Sequence, residues 1–262
     1  TAPAAGFSGG AKILVPGVSG TETAAHVHDR NRTASERGGS IDTEFRNEIE
    51  AIASSVGLHF SVNVVLNERR EIAGVFAGDK RAAWLEGIRF VEERFTVPRP
   101  GAADVVIADA YPFDTAWNVA NDRALWPIRL AKRGASRVVV GEFAGGLGDH
   151  LLYPAVGEFR TRLARRASKL RPGDFWRLPG MARGAVRLLA RNRISFTLLS
   201  EGIGTEDLVR AYPKARAVRR WEEVLAGLEA RHRGERVEAA VYRAAPLHLP
   251  ERGSSSRGRR EK

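Results

Sequence analysis

The chain has 262 residues, 43% of them apolar, and a formal net charge of +11. That length is near the point where one hydrophobic core gives way to two. Zero cysteines exclude a disulfide framework and a thiolate metal site, and no run approaches the ~18 apolar residues of a membrane span. No basic stretch followed by an apolar run opens the chain, so a cytoplasmic setting is expected. The positive charge raises the question of nucleic acid. Its arginines are scattered, with clusters at Arg160 to Arg171, Arg216 to Arg220 and Arg257 to Lys262, and no aromatics interleave with them. A solvated basic surface is the expected reading, and nucleic acid is not an expected partner.

Residues 1–95 read as one unit. Ser19 or Thr21 can cap a short helix carrying His26 and His28. Asp42 opens a helix with Phe45, Ile49, Ile52, Ala53 and Val56 at the 3.6 period, stopping at Gly57. Phe60 to Val64 alternates as a strand, Asn67 to Arg70 turns, and Glu71 to Phe76 returns. Asp79 caps a helix with Trp84, Ile88, Val91 and Phe95 on one face. Residues 96–102 are a linker, since Pro98, Pro100 and Gly101 cannot continue a helix.

Residues 103–243 then alternate strand and helix. Strands are expected at 104–108, 137–140, 194–199 and 237–242, with helices near 115–133, 182–191, 205–212 and 219–231. This pattern implies a parallel sheet covered by helices. The fold class is therefore α/β in two domains, the C-terminal one a Rossmann-like parallel sheet with helices on both faces. Residues 244–262 form a return segment and a basic tail, rich in Ser, Gly and Arg from Glu251 on and expected to be disordered.

Chemistry is concentrated near the start. Residues 6–17 read Gly-Phe-Ser-Gly-Gly-Ala-Lys-Ile-Leu-Val-Pro-Gly, four glycines in twelve positions, with Lys12 at the mouth of the loop. Glycine has no Cβ to block a ligand's approach to the backbone. His28 follows Lys12 by sixteen residues, and neutral imidazole suits a borderline metal. His26, two residues away, projects to nearly the opposite side of a helix, so the pair is a poor two-histidine site.

The loop resembles the GFSGGxK-x₃-PG signature of the nickel-dependent lactate racemase family. The resemblance continues through Asn63 to Asp79, where Arg70 replaces a family lysine, and through Val105 to Ala108, Tyr111-Pro-x-Asp114 and Gly145 to Gly148. It covers roughly residues 3–250. It implies that Lys12 binds a nickel pincer nucleotide covalently, that Ser8, Gly9 and Gly10 help to hold this cofactor, and that His28 ligates the nickel. It also implies dependence on cofactor-synthesis enzymes, and a hydride shuttled from the α-carbon of a 2-hydroxy acid to the cofactor and back.

The resemblance further implies a long segment ahead of the loop, carrying substrate-binding residues and a catalytic histidine. A second acid/base histidine belongs ten residues before the lysine, where this chain has Ala2. No catalytic residue is therefore assigned. The expected substrate-binding positions are Asn118, Asp122 and Arg123. The family pattern Tyr-Gln-x-x-Lys becomes Asn118-Val119-x-x-Asp122, an anion in place of the cation that meets a carboxylate. At ~5 Å and an effective dielectric near 20 the repulsion is about 3 kcal/mol. The expected function is racemase or epimerase chemistry on a 2-hydroxy acid other than lactate. The alternative is a non-catalytic or truncated family member acting as a binding protein. Gly145 to Gly148 does not fit the G-x-G-x-x-G spacing, so a capped loop is expected there rather than a dinucleotide site.

Overall fold

A computed structural model describes residues 7–20, 23, 41, 44–148 and 194–251, excepting the side chains of 44, 45, 121, 122, 210 and 211. His28, Ala2, the expected helix at 182–191 and the basic tail from 252 lie outside the described residues. The chain divides into two compact units. Unit 1 is residues 1–101 with 247–262, and unit 2 is residues 102–246.

In unit 1, helix α1 (Glu44–Ser55) ends before Gly57, which takes a left-handed φ of 78°. Its Ile49 and Ala53 are buried with Ala11 and Val15 in a small core. Strands β1 (Phe60–Leu66) and β2 (Ile72–Asp79) pair antiparallel, Val64 opposite Val75, with a register shift at Val65/Leu66. The turn between them is held by the Asn67 side chain, whose Oδ1 accepts the Arg69 and Glu71 amides. Asp79 caps helix α2 (Lys80–Phe95) by accepting from the Arg81 and Ala82 amides, the geometry expected of an N-cap aspartate. Trp84, Ile88 and Val91 of α2 pack on Phe7, Val65 and Leu249.

The segment read as a linker begins with strand. Thr96–Val97 forms a short strand β3, which pairs parallel with the final strand β9 (Leu249–Pro250). Two links, Arg99 Nε to the Glu251 carbonyl at 2.7 Å and the Glu251 amide to the Val97 carbonyl at 3.0 Å, extend that pairing. Residues 152 positions apart in sequence, Arg99 and Glu251, thus help to close unit 1.

Unit 2 is built on β4 (Val105–Asp109), β5 (Ser136–Val140), β6 (Thr197–Leu199), β7 (Arg216–Val218) and β8 (Ala239–Tyr242). They form one sheet in the order β7-β6-β5-β4-β8, every pair parallel. Helices α3 (Trp117–Ala124), α4 (Trp126–Leu130), α5 (Thr205–Ala211) and α6 (Trp221–His232) flank it. This is the α/β class expected from the strand–helix alternation. Val224 and Leu228 of α6 pack on Ile107, Val138, Val140, Leu199 and Val218. Elsewhere Trp117, fully buried, meets Phe143 edge-on, stacks on Phe196 and meets Tyr212 edge-on.

Two elements of unit 2 differ from the sequence reading. The expected helix at 115–133 is two helices, because Pro127 sits in the first turn of α4 and cannot serve in the interior of a continuous helix. Strand β7 was not expected at all. Three residues, Arg-Ala-Val, are too short for a period, and they become a strand by pairing with β6 at the sheet edge.

Candidate functional site

The lysine loop begins with an anchor. Phe7 is fully buried against Val65 and Trp84, which fixes the chain where the glycines start. Gly9 and Gly10 follow at φ 96° and 55°, consecutive positions that glycine tolerates far better than other residues. Gly10–Ile13 is then one 3₁₀ turn, closed by the Lys12 amide donating to the Gly9 carbonyl at 3.2 Å. Lys12 is half-buried, as is Ser8.

The platform beneath this loop is polar, and it comes from a strand. β1 turns Ser61, Asn63 and Val65 inward and leaves Phe60, Val62, Val64 and Leu66 exposed. Asn63 Oδ1 accepts the Gly10 amide at 2.8 Å. Asn63 Nδ2 donates to Ser61 Oγ at 3.1 Å, and Ser61 Oγ donates to the Lys80 carbonyl at 3.5 Å.

Helix α1 adds Arg46 from the side. Its Nη1 donates to the Gly9 carbonyl at 3.3 Å, its Nε donates to Glu50 Oε1 at 2.9 Å, and its guanidinium lies 3.4 Å from the Trp84 ring centroid. Burial pushes the Arg46 pKa below its usual value while the Glu50 carboxylate pulls it back up. A Cβ on Gly10 would stand 2.7 Å from Arg46 Nη2 and 3.1 Å from both the Lys80 carbonyl and Trp84 Cβ. Close packing against Arg46 and Trp84 is therefore one reason for glycine at this position.

Chemically, this assembly presents one primary amine on a backbone turn pinned at Gly9 and Gly10. That fits a group held by a single covalent bond at Lys12. Among the described residues, no cluster of three or more His, Asp or Glu side chains could hold a metal ion. Asn63, Ser61 and Arg46 are the residues the sequence reading missed. The signal available for the first two was a pair of polar residues at i and i+2, interleaved with Phe60, Val62 and Val64 in an otherwise apolar strand. Arg46 carries a weaker signal: it falls on the same face of α1 as the buried Ile49 and Ala53, three and seven residues on, where a charge needs a partner.

A second feature lies in unit 2. An open cleft of about 480 Å³ sits over the carboxyl ends of β4 to β7, where ligands of parallel α/β sheets commonly bind. Asp109, Asp114, Glu142, Glu201, Arg219 and Trp221 line it, among others. Burial raises the Asp109 pKa, the Tyr111 amide donating at 2.9 Å opposes this, and nearby Asp114 raises it further. Ser200 ties the rim together: its Oγ donates to the Glu142 carbonyl at 2.9 Å and accepts the Gly202 amide at 3.2 Å.

The residues expected to bind substrate sit on α3. Asn118 donates its amide to the Leu147 carbonyl at 3.1 Å, beside Trp117 donating to Gly146 at 3.0 Å. The glycine loop at 145–148 thus supplies carbonyl acceptors to the first turn of α3. Gly148, at φ 68°, leaves room for the Asn118 side chain, whose Oδ1 would lie 2.5 Å from an added Cβ. Asn118 Oδ1 is buried with no hydrogen-bond partner among the described residues. Arg123 lies over the Phe113 ring at 4.6 Å and donates to the Val119 carbonyl at 3.4 Å. Neither Asn118 nor Arg123 lines the cleft. The Asp122 side chain, like His28, falls outside what the structure describes.

Comparison with known proteins follows the same lines. No protein-family model matches the chain. It is 35% identical over 115 residues to a lactate racemase of Lactiplantibacillus plantarum, a match covering 42% of this chain and 27% of that protein. It is 33% identical over 154 residues to a lactate racemase of Thermoanaerobacterium thermosaccharolyticum, covering 57% of this chain and 36% of that one. These matches span about a third of the length of the curated relatives. Among solved structures, the lactate racemase apoprotein from T. thermosaccharolyticum superimposes with a TM-score of 0.71 at 20% identity, over 95% of this chain and 60% of that one. A protein from Thermotoga maritima superimposes with a TM-score of 0.55 at 15% identity. The two structural likenesses establish the fold.

Proposed function

The chain is a lactate racemase-like family member, and from that premise we propose that it is a racemase or epimerase of a 2-hydroxy acid other than lactate. In this reading a nickel pincer nucleotide, delivered by its synthesis enzymes, is joined to Lys12, and the protein acts in the cytoplasm. When bound, that group supplies a hydride acceptor and donor for the α-carbon of the substrate.

The chain's own part is to hold the cofactor. Lys12 offers the amine, the Gly9–Gly10 turn fixes the backbone that carries it, and Arg46 and Asn63 fix the turn. His28 is the proposed nickel ligand, assigned from its spacing to Lys12. The observation that carries the proposal is this pinned turn, because one covalent bond must locate a whole cofactor and needs an immobile base. Asp122, at a position where the family pattern has lysine, supports a substrate less acidic or larger than lactate.

Mass spectrometry tests the attachment. Protein co-expressed with the cofactor-synthesis enzymes carries an adduct on the peptide containing Lys12, and Lys12→Ala abolishes it. An unmodified Lys12 peptide under those conditions would leave the alternative, a family member that acts as a binding protein.

A further inference from the structure

We propose that Asn63 is a positioning residue for Lys12, acting through the Gly10 amide. The proposal rests on the reading of Lys12 as the functional amine, and it adds a residue that the family resemblance did not assign.

A strand with one face on a core ordinarily turns its apolar residues inward. β1 does the reverse at Asn63, which is 3% exposed while its neighbours Val62 and Val64 face out. A buried amide is destabilising unless its hydrogen-bonding groups are used. Both ends of this one are engaged, Oδ1 by the Gly10 amide and Nδ2 by Ser61 Oγ. The orientation is decided by chemistry, since the loop offers a donor and only the oxygen of the side-chain amide can accept it.

An apolar side chain at this position would satisfy the core but leave the Gly10 amide buried without an acceptor. Gly10 is two residues from Lys12, and Lys12 closes the same turn through its own amide to Gly9. The bond from Asn63, which bridges 53 residues of sequence, therefore ties the lysine turn to the β1–β2 hairpin. Arg46 grips the other side of the glycine pair, at the Gly9 carbonyl.

The test uses the full chain and a neutral acyl donor, N-acetoxysuccinimide. Acetylation of Lys12 is read by peptide mass spectrometry against Lys132 of unit 2, which is bonded to Asp104. In Asn63→Leu the Lys12-to-Lys132 ratio shifts by about tenfold from wild type, the consequence of losing one buried hydrogen bond. Asn63→Asp keeps the ratio within about twofold of wild type, because a carboxyl oxygen still accepts the Gly10 amide in either protonation state. Asn63→Ala replaces the leucine variant where that protein does not fold, with the same expectation. Equal ratios in wild type, Asn63→Leu (or Asn63→Ala) and Asn63→Asp would overturn the proposal. So would an aspartate variant that behaves like leucine, since the proposal requires that an acceptor for the Gly10 amide suffice at this position. A wild-type protein without cofactor adduct would sink the function proposed above while leaving these ratios to decide the role of Asn63.

Discussion

The Arg46 guanidinium stands 3.4 Å from the centroid of the Trp84 ring, with Arg46 3% exposed and Trp84 fully buried. A cation held over an indole face gains from the ring quadrupole, and more so away from water. The contact joins α1 to α2 directly beneath the glycine pair. It makes Arg46 a structural member of the lysine loop rather than a surface charge.

Removing that cation should be costly. Arg46→Ala leaves the Glu50 carboxylate, only 12% exposed, without its partner and frees the Gly9 carbonyl. The expected loss is about 2–4 kcal/mol, toward the lower end for a pair that keeps some access to water. Urea denaturation reads it. The double variant Arg46→Ala/Glu50→Gln should recover part of the loss, because no uncompensated charge remains. A double variant no more stable than the single one would show that the tryptophan contact, not the ion pair, dominates.

Two glycines of unit 2 make opposite predictions. A Cβ on Gly202 would stand 1.8 Å from the Phe143 carbonyl, whereas one on Gly204 has nothing within 4 Å. Gly202→Ala must therefore separate the segments that bond Gly202 to the Glu142 carbonyl. It should destabilise the protein by at least about 3 kcal/mol, the range of severe overpacking. Gly204→Ala, at an ordinary extended φ of −83°, should stay within about 0.5 kcal/mol of wild type apart from a small capping effect. Similar melting temperatures for the two variants would count against the close approach of Gly202 to Phe143.

Asp109 predicts a pH dependence. Its pKa is raised by burial and then by Asp114, so the folded state holds the proton to higher pH than the unfolded one. The group's contribution to stability is therefore fully present below the unfolded pKa of about 3.9 and is lost as pH rises through the folded value. Asp109→Asn keeps an oxygen for the Tyr111 amide and removes the titration. It should be more stable than wild type at neutral pH, with the difference shrinking toward about pH 4. Thermal melts of both proteins across that interval check the sign. A difference that widens on acidification would mean that Asp109 is stabilised as the anion.

The substrate reading turns on Asp122. On the proposed function, in which Asp122 meets the substrate carboxylate, Asp122→Lys removes a repulsion of about 3 kcal/mol at ~5 Å and adds an attraction. Binding of small 2-hydroxy carboxylates by the cofactor-loaded protein should tighten, as measured by calorimetry. Wild-type protein that racemises lactate briskly would place Asp122 outside the pocket.

Much of this was legible in the sequence because it is local. The end of α1 at Gly57, the Asp79 cap and the strand–helix alternation of unit 2 each depend on a few adjacent residues and the preferences of their backbones. Lys12 stood out for the same reason, in a run of glycines that no ordinary helix or strand would carry. The sequence also held the proline that divides α3 from α4, though apolar residues on both sides concealed its effect.

Tertiary structure decided the rest. Alternation along Phe60 to Leu66 is the same whichever face is buried, so the inward turn of Ser61 and Asn63 emerged only when the glycine loop supplied their partner. Arg46 shares a helix face with Ile49 and Ala53, but what covers it, the ring of Trp84 38 positions on, is set only in the fold. Three residues became β7 because β6 offered an edge. The acidic cleft gathers side chains from four strand ends, from Asp109 to Trp221. Hydrogen bonds and ring contacts between residues far apart in sequence depend on how the chain closes in space, and no local period records that closure.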